Sequence, residues 1–561
     1  MTVYLPSWVR YNRKTNRRQK NEKTLAMILA LCMIFALCAC GSGAQTGTEQ
    51  PTSNDASVSD NTVADEVTSD SGYVIEVLKL DNDGGDFGGP NPFRHSTRGP
   101  GSTKMRHVFD SLLQEGPENY IPWLAETWSI SDDNLSYTFT LHKDATWHDG
   151  EPVTADDVAF SIDYYSKYPN NGGNLFTADS SIIDHYEVTD DYTIVIYAAK
   201  ALSTNTGNIG TLPIIPRHIW ENVEDPYNYD GDDKYIGCGM YKLVSYDSAT
   251  GSYQFEANED YYGHKPAAHY IDYSPISDEI LAFENGDIAM ADVSADLYDA
   301  YASREDIAMI PKSDEMGYRL MLNMEKVAEL QDVGVRAALY KALDRNKMVD
   351  SVFQGLGHVA SAGYVPQTNP FYCDDVIKYD YDAETAKEVL APLGLKLRFV
   401  IGQDTPAEAT LAELVKMDLE AAGVEVTVES YDVPTRDSMA TSGDYDILLT
   451  YHGGWNAEPV SMMSAIYAGT PGKSKWVTYG YSNDELVNLI RSIPSIFDNN
   501  ELKNAYDKAQ VIISEDIPQL PLITQVSYAM YRPAEYDCWQ ACFNSTQFAN
   551  CRLSYTSDSE F

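Results

Sequence analysis

The stretch with the most chemical content is Tyr451-His452-Gly453-Gly454-Trp455-Asn456-Ala457-Glu458-Pro459. It sets a phenol, an imidazole, an indole, an amide and a carboxylate around a Gly-Gly pair, directly after the strand-like run 446–449. A strand whose carboxyl end feeds a glycine loop is where open α/β sheets bind ligands. The competing reading packs Trp455 in a core and leaves Glu458 in solvent. Other arrangements lead away from catalysis. Gly472-Lys473-Ser474 has the end of a phosphate-binding loop, but the position that needs the first glycine is Tyr467. No GxSxG, HExxH or CxxC occurs. Of the ten histidines only His264 and His269 lie close together, so no zinc site is expected. Asp86-Phe87-Gly88 imitates a kinase motif without that motif's partners and reads as a turn. The expected chemistry is binding, with no enzyme activity, no cofactor and no metal.

The elements that must position this stretch follow from periodicity. The runs 397–401, 411–422 and 424–428 read strand, helix, strand, which implies a parallel α/β core. Residues 445–449 add a strand, 502–514 a helix and 517–522 a return strand. Earlier, 73–80 is a strand, 105–113 a helix, and 333–352 one amphipathic helix with Val335, Leu339, Ala342 and Leu343 on one side. In 124–165, Trp128 and Ile130 alternate with polar residues, Asp132-Asp133-Asn134 turns the chain, and Tyr137, Phe139 and Leu141 alternate again. That is a hairpin with one apolar face. Thr154 stands three residues before Asp157, a capping-box-like start to a helix carrying Val158, Ile162 and Tyr165.

The same residues, LAETWSISDDNLSYTFTLHKDATWHDGEPVTADDVAFS, resemble the signature of the family 5 bacterial extracellular solute-binding proteins, the peptide and nickel receptors of ATP-driven importers. Further segments are similar to that family: LPIIPRHIW from Leu212, IGCGMYKLV from Ile236, NEDYYG from Asn258, the crossing strand at 320–323, and YDAETAK from Tyr381. The likeness covers about 73–534. It implies an α/β, two-lobed periplasmic-binding-protein-like fold (type II, cluster C), with mixed sheets flanked by helices. It places lobe 1 at 73–319 plus 521–561, with a subdomain inserted at about 106–203, and lobe 2 at 320–520.

By the same resemblance Glu458 stands where peptide-binding relatives carry an aspartate for the peptide's ammonium, one methylene longer, with Trp455 as an aromatic wall beside Asn456. Gly239 and Met240 belong to a loop that lines the cleft in relatives, although a plain tight turn also explains them. Nickel-receptor relatives hold a metal–chelator complex with aromatic residues, an arginine and a histidine. By that resemblance Tyr451 and His452 suit such a role, and Arg94, His95 and Arg98 of the N-terminal loop suit the chelator's carboxylates, although a loop histidine is also simply exposed. The expected function is capture of short peptides outside the membrane and delivery to an importer's permease, which works with a cytoplasmic ATPase. A nickel- or metal-chelate receptor and a peptide-sensing signalling lipoprotein are the alternatives. The protein is expected to act as a monomer.

The address fits. Residues 10–23 carry seven basic side chains, 25–39 form an apolar run too short to span a membrane, and Leu37-Cys38-Ala39-Cys40-Gly41 resembles a lipobox with Cys40 as lipid acceptor. Residues 1–39 are thus a signal peptide, and 40–72 a lipidated cysteine and flexible tether. The expected place is the outer face of the cell membrane, held by lipid alone. The net charge is −44 for the whole chain and near −50 beyond Cys40, which argues against nucleic acid as a partner. Cys538, Cys542 and Cys551 leave a tail disulfide and free thiols as open readings.

Overall fold

The hairpin read from 124–165 forms, as the strands Ala125–Ile130 and Ser136–Leu141. Tyr137, Phe139 and Leu141 are buried, and Trp128 is half-buried opposite Phe139. The helix Ala155–Lys167 follows. Asp157 Oδ2 accepts the Thr154 N–H at 2.9 Å and the Thr154 hydroxyl at 3.1 Å. Its Oδ1 accepts the N–H of Arg217 at 3.0 Å, so one carboxylate serves two helix starts.

The computed structural model of the protein describes residues 72–557, apart from 83–84, 98, 172, 174, 178–179, 313–315, 404–405, 453–458 and 544–547. The expected signal peptide, Cys40 and most of the tether lie outside the described residues. The described residues form one unit. It is mixed α/β, with several sheets flanked by helices.

Three sheets set the frame. A four-stranded sheet runs Ile75–Asp81, Ala268–Ser274, Ser252–Ala257, Tyr241–Asp247, its first pair parallel and the rest antiparallel. The hairpin joins Thr193–Ala198 and Ile183–Asp190 in a second sheet. The largest has six strands in the order Gly357–Val359, Gln519–Gln525, Met316–Leu322, Ile447–His452, Lys396–Gly402, Glu425–Tyr431. Lys396–Gly402 pairs in parallel with both neighbours, and the other pairs are antiparallel. This is the parallel core that the strand–helix–strand pattern implied, extended by antiparallel partners.

Apolar side chains sort into separate cores. The largest draws on Leu78 through Ile310 and again on Tyr536 through Tyr555, and the next largest on Tyr318 through Ile523. The C-terminal segment from Tyr536 to Tyr555, read from sequence as part of lobe 1, packs in the first core.

Two elements differ from expectation. The helix at 105–113 is instead Gly99–Val108. It stops because the chain beyond it turns inward at Asp110, which Arg552, Trp123, Tyr261 and Tyr262 surround. The single helix at 333–352 is two, Val333–Ala342 and Arg345–Phe353. Asp344 interrupts it, because its side chain accepts the N–H of Lys347 and caps a new start.

Candidate functional site

The candidate site is built at the carboxyl ends of Lys396–Gly402 and Ile447–His452, which lie side by side in parallel. The runs IleLeuLeuThr and LeuArgPheValIle make these strands, with inward residues on both faces. At the end of the first, Gly402 sits where any Cβ would overlap the Glu408 carboxylate. Glu408 and Arg436 form a buried ion pair at 3.0 Å. Arg436 also reaches Asp437 at 3.2 Å, and Asp437 in turn pairs with Lys475. At the end of the second strand the Tyr451 ring stands 5.9 Å from the Arg436 guanidinium and 5.9 Å from the Tyr318 ring. The edge thus carries two carboxylates matched by two cations, together with aromatic rings, an arrangement suited to a ligand with aromatic or amphipathic groups.

Arg319 lies one strand over, paired with Thr450. It is fully buried, with its guanidinium 5.5 Å from the Tyr364 ring and 5.1 Å from Trp476. Nη1 donates to the Tyr364 hydroxyl. Burial lowers its pKa to about 9, so it still carries its charge at neutral pH.

The sequence-predicted residues divide. Tyr451 is half-buried at the sheet's carboxyl edge. The backbone of His452 ends that strand, paired with Gly317. Trp455, Asn456, Glu458 and Arg98 lie outside the described residues, as does the side chain of His452. Gly239 and Met240 are buried, which fits the tight-turn reading. A Cβ on Gly237 or Gly239 would overlap the carbonyls at the end of the helix Gly99–Val108, so the two glycines are there to pack. His95 is also buried, its Nδ1 2.9 Å from the Asn91 carbonyl, and burial lowers its pKa.

Arg94 instead lines a groove of about 850 Å³ along the strand Tyr241–Asp247, with Asp86, His148, Lys234, Lys242 and Tyr246. Its walls carry both signs of charge, with Ile236, Leu243 and Val244 between them. His148 bridges to the glycine turn there: Nδ1 accepts the Gly237 N–H at 3.4 Å and Nε2 donates to the Gly239 carbonyl at 2.9 Å. Burial pushes its pKa down to about 4. Among the described residues, no group of three or more His, Cys, Asp or Glu could hold a metal ion. No described helix is long and apolar enough to cross a membrane.

Arg319, Glu408, Arg436 and Trp476 escaped the sequence reading. One signal was present: Arg319 interrupts the otherwise apolar alternation of Met316–Leu322, where a charge needs a reason.

Comparisons with known proteins agree with this architecture. Residues 119–474 match the family model described as bacterial extracellular solute-binding proteins, family 5 Middle. The heme-binding protein A of Haemophilus influenzae is 26% identical over 467 residues, covering 77% of this chain and 84% of that protein. The dipeptide-binding protein of Escherichia coli is 25% identical over 448 residues, covering 72% and 81%. The crystal structure of the substrate-binding protein CtaP from Listeria monocytogenes superposes with a TM-score of 0.72 at 24% identity, over 86% of this chain and 99% of that one. Its fold is shared.

Proposed function

This chain belongs to the bacterial extracellular solute-binding proteins of family 5, and from that premise we propose that it captures short peptides outside the membrane and presents them to the permease of an ATP-driven importer. The family consists of transporter substrate-binding proteins that work outside the cytoplasm. The observation that carries the peptide reading is the placement of Tyr451-His452 at the carboxyl end of a parallel strand pair, beside Arg436 and directly before the stretch 453–458. In that stretch we assign Glu458 to the peptide's ammonium, Trp455 to a ring wall and Asn456 to a backbone contact. A carboxylate–ammonium hydrogen bond in a closed cleft contributes about 1.5–3 kcal/mol. The dipeptide-binding relative supports this choice of ligand.

The remaining assignments rest on sequence. Lobe 1 is 73–319 with 521–561 and the insert at 106–203, and lobe 2 is 320–520. The two largest apolar cores, one drawing on residues up to Ile310 and from Tyr536 on, the other on Tyr318 through Ile523, support such a division. Cys40 carries the lipid, and 40–72 tethers a monomeric receptor to the outer face of the membrane.

Thermal unfolding against peptide pools and against nickel–histidine tests the proposal. A peptide at 100 times its Kd adds about 2.7 kcal/mol. The stabilisation is expected with peptides and is expected to fall in Glu458→Gln, which keeps the shape and removes the charge. Stabilisation by nickel–histidine alone would replace the peptide with a metal chelate.

A further inference from the structure

The C-terminal segment that packs in the first core carries three of the five thiols among the described residues, Cys538, Cys542 and Cys551. Cys542 and Cys551 are both buried there, nine positions apart. The Cys542 thiol faces two groups: the Cys551 thiol, within hydrogen-bond reach, and the Glu115 carboxylate, whose Oε2 lies at 3.8 Å. The other three thiols are engaged elsewhere, Cys538 by the Tyr536 hydroxyl and Cys238 and Cys373 by the main chain of Asp110 and Asp375.

Main-chain contacts hold both residues in place. Next to Cys542, Phe543 donates its N–H to the Gly116 carbonyl at 2.9 Å and sets its ring edge-on to Tyr120 at 5.0 Å. Cys551 donates its own N–H to the Phe548 carbonyl at 3.1 Å and opens the helical turn Arg552–Tyr555. Next to it, the Asn550 carbonyl accepts the hydroxyl of Thr103, in the helix Gly99–Val108, at 3.1 Å. The two sulfurs thus meet at the base of a loop whose ends grip separate elements of the fold.

Two adjoining thiols are weak hydrogen-bond partners, so their contact stabilises little as it stands. In the extracytoplasmic setting of this family, paired thiols are oxidised. A bond across the contact removes freedom from the unfolded chain and holds the tail in its core. Contact with Cys551, burial and the Glu115 carboxylate all push the Cys542 thiol up, away from the thiolate that exchange chemistry needs. A sulfur so placed is a poor nucleophile and, once bonded, a poor leaving group, as suits a lasting bridge and not a reversible switch.

We propose that Cys542 and Cys551 are partners in a structural disulfide, closed while the chain folds and before the tail packs. One S–S bond forms here and one breaks in the oxidant, a small-molecule or protein disulfide, which takes up the two electrons and the two thiol protons and leaves as two thiols. Which sulfurs pair is a matter of this chain's geometry; only the oxidant depends on its reading as an extracytoplasmic protein.

The test maps the bond in the full chain, collected from cells with free thiols alkylated at lysis, and in the same chain refolded from denaturant with glutathione disulfide. Chymotrypsin cleaves after Trp539, Phe543 and Phe548, which puts the three tail cysteines on three fragments. Mass spectrometry is expected to find the Cys542 and Cys551 fragments joined in both samples, two hydrogens lighter than their sum, with Cys538 alkylated. Reductant is expected to lower the unfolding temperature of wild type by several degrees and to leave that of Cys551→Ser unchanged. The map of wild type decides the matter should that variant not fold. The folded, reduced chain is expected to react with glutathione disulfide at least roughly tenfold more slowly than the unfolded chain. Alkylated Cys542 and Cys551 in both samples, or a bond from either to Cys538, would overturn the pairing. Fast, reversible oxidation of the folded chain would overturn its structural role. A bond in the refolded chain with free thiols in the cellular one would keep the pair and remove the extracytoplasmic address.

Discussion

Asp110 is fully buried and accepts four hydrogen bonds. Trp123 donates to Oδ1 at 3.2 Å, Tyr261 and Tyr262 donate to Oδ2 at 2.9 and 2.5 Å, and Arg552 donates to Oδ1. Removing one partner of such a pair strands a charge, so Arg552→Ala is expected to cost about 3–5 kcal/mol in urea unfolding. Histidine sets the response to acid. His148 is held neutral, with its pKa near 4 against an ordinary 6.5, and burial depresses His107 in the same direction. Between those values the unfolded chain binds protons that the fold refuses. The contribution is whole above pH 6.5 and is lost as the pH falls toward 4. Unfolding followed at pH 7, 6 and 5 is expected to show a steeper loss for wild type than for His148→Gln, because protonated Nδ1 can no longer accept the Gly237 N–H. None of this was legible in the sequence. Asp110 and Arg552 are 442 positions apart, and each is one charged residue among 124.

At the scale of elements, local chemistry was readable where it was complete within a few residues. Thr154 and Asp157 are three apart, and the box they form was read before the fold. What the spacing did not reveal is that Asp157 also serves the N–H of Arg217, 60 residues on. Asp157→Ala therefore leaves two helix starts without an acceptor and is expected to lower stability by about 1–3 kcal/mol by thermal or chemical unfolding. The break at Asp344 was missed for the opposite reason. The apolar spacing of 333–352 continues through it, and only the side chain's turn back to its own backbone ends one helix and starts another.

At the scale of the whole molecule, the C-terminal segment decides whether the first core closes. Tyr536, Trp539, Cys542, Leu553 and Tyr555 are buried in it, and the Tyr555 hydroxyl meets that of Tyr273 at 2.9 Å. Deleting residues 536–561 is expected to abolish cooperative unfolding of the purified chain by calorimetry, since it removes several large buried side chains worth about 1.5–3 kcal/mol each, together with the partner of Asp110. The sequence by itself determined the family, the hairpin and helix of 124–165, the parallel strand–helix–strand unit and the strand that leads into 453–458. The family is carried by the resemblance of whole motifs, while the elements are written in periodicities of two and 3.6 and in caps that span three or four residues. Only the tertiary structure decided that Gly239 and Met240 pack and that the tail completes a core. It alone buried Arg319 within the six-stranded sheet, beside Tyr364 and Trp476. Burial and pairing across hundreds of residues depend on which surfaces meet, and no short-range pattern carries that information.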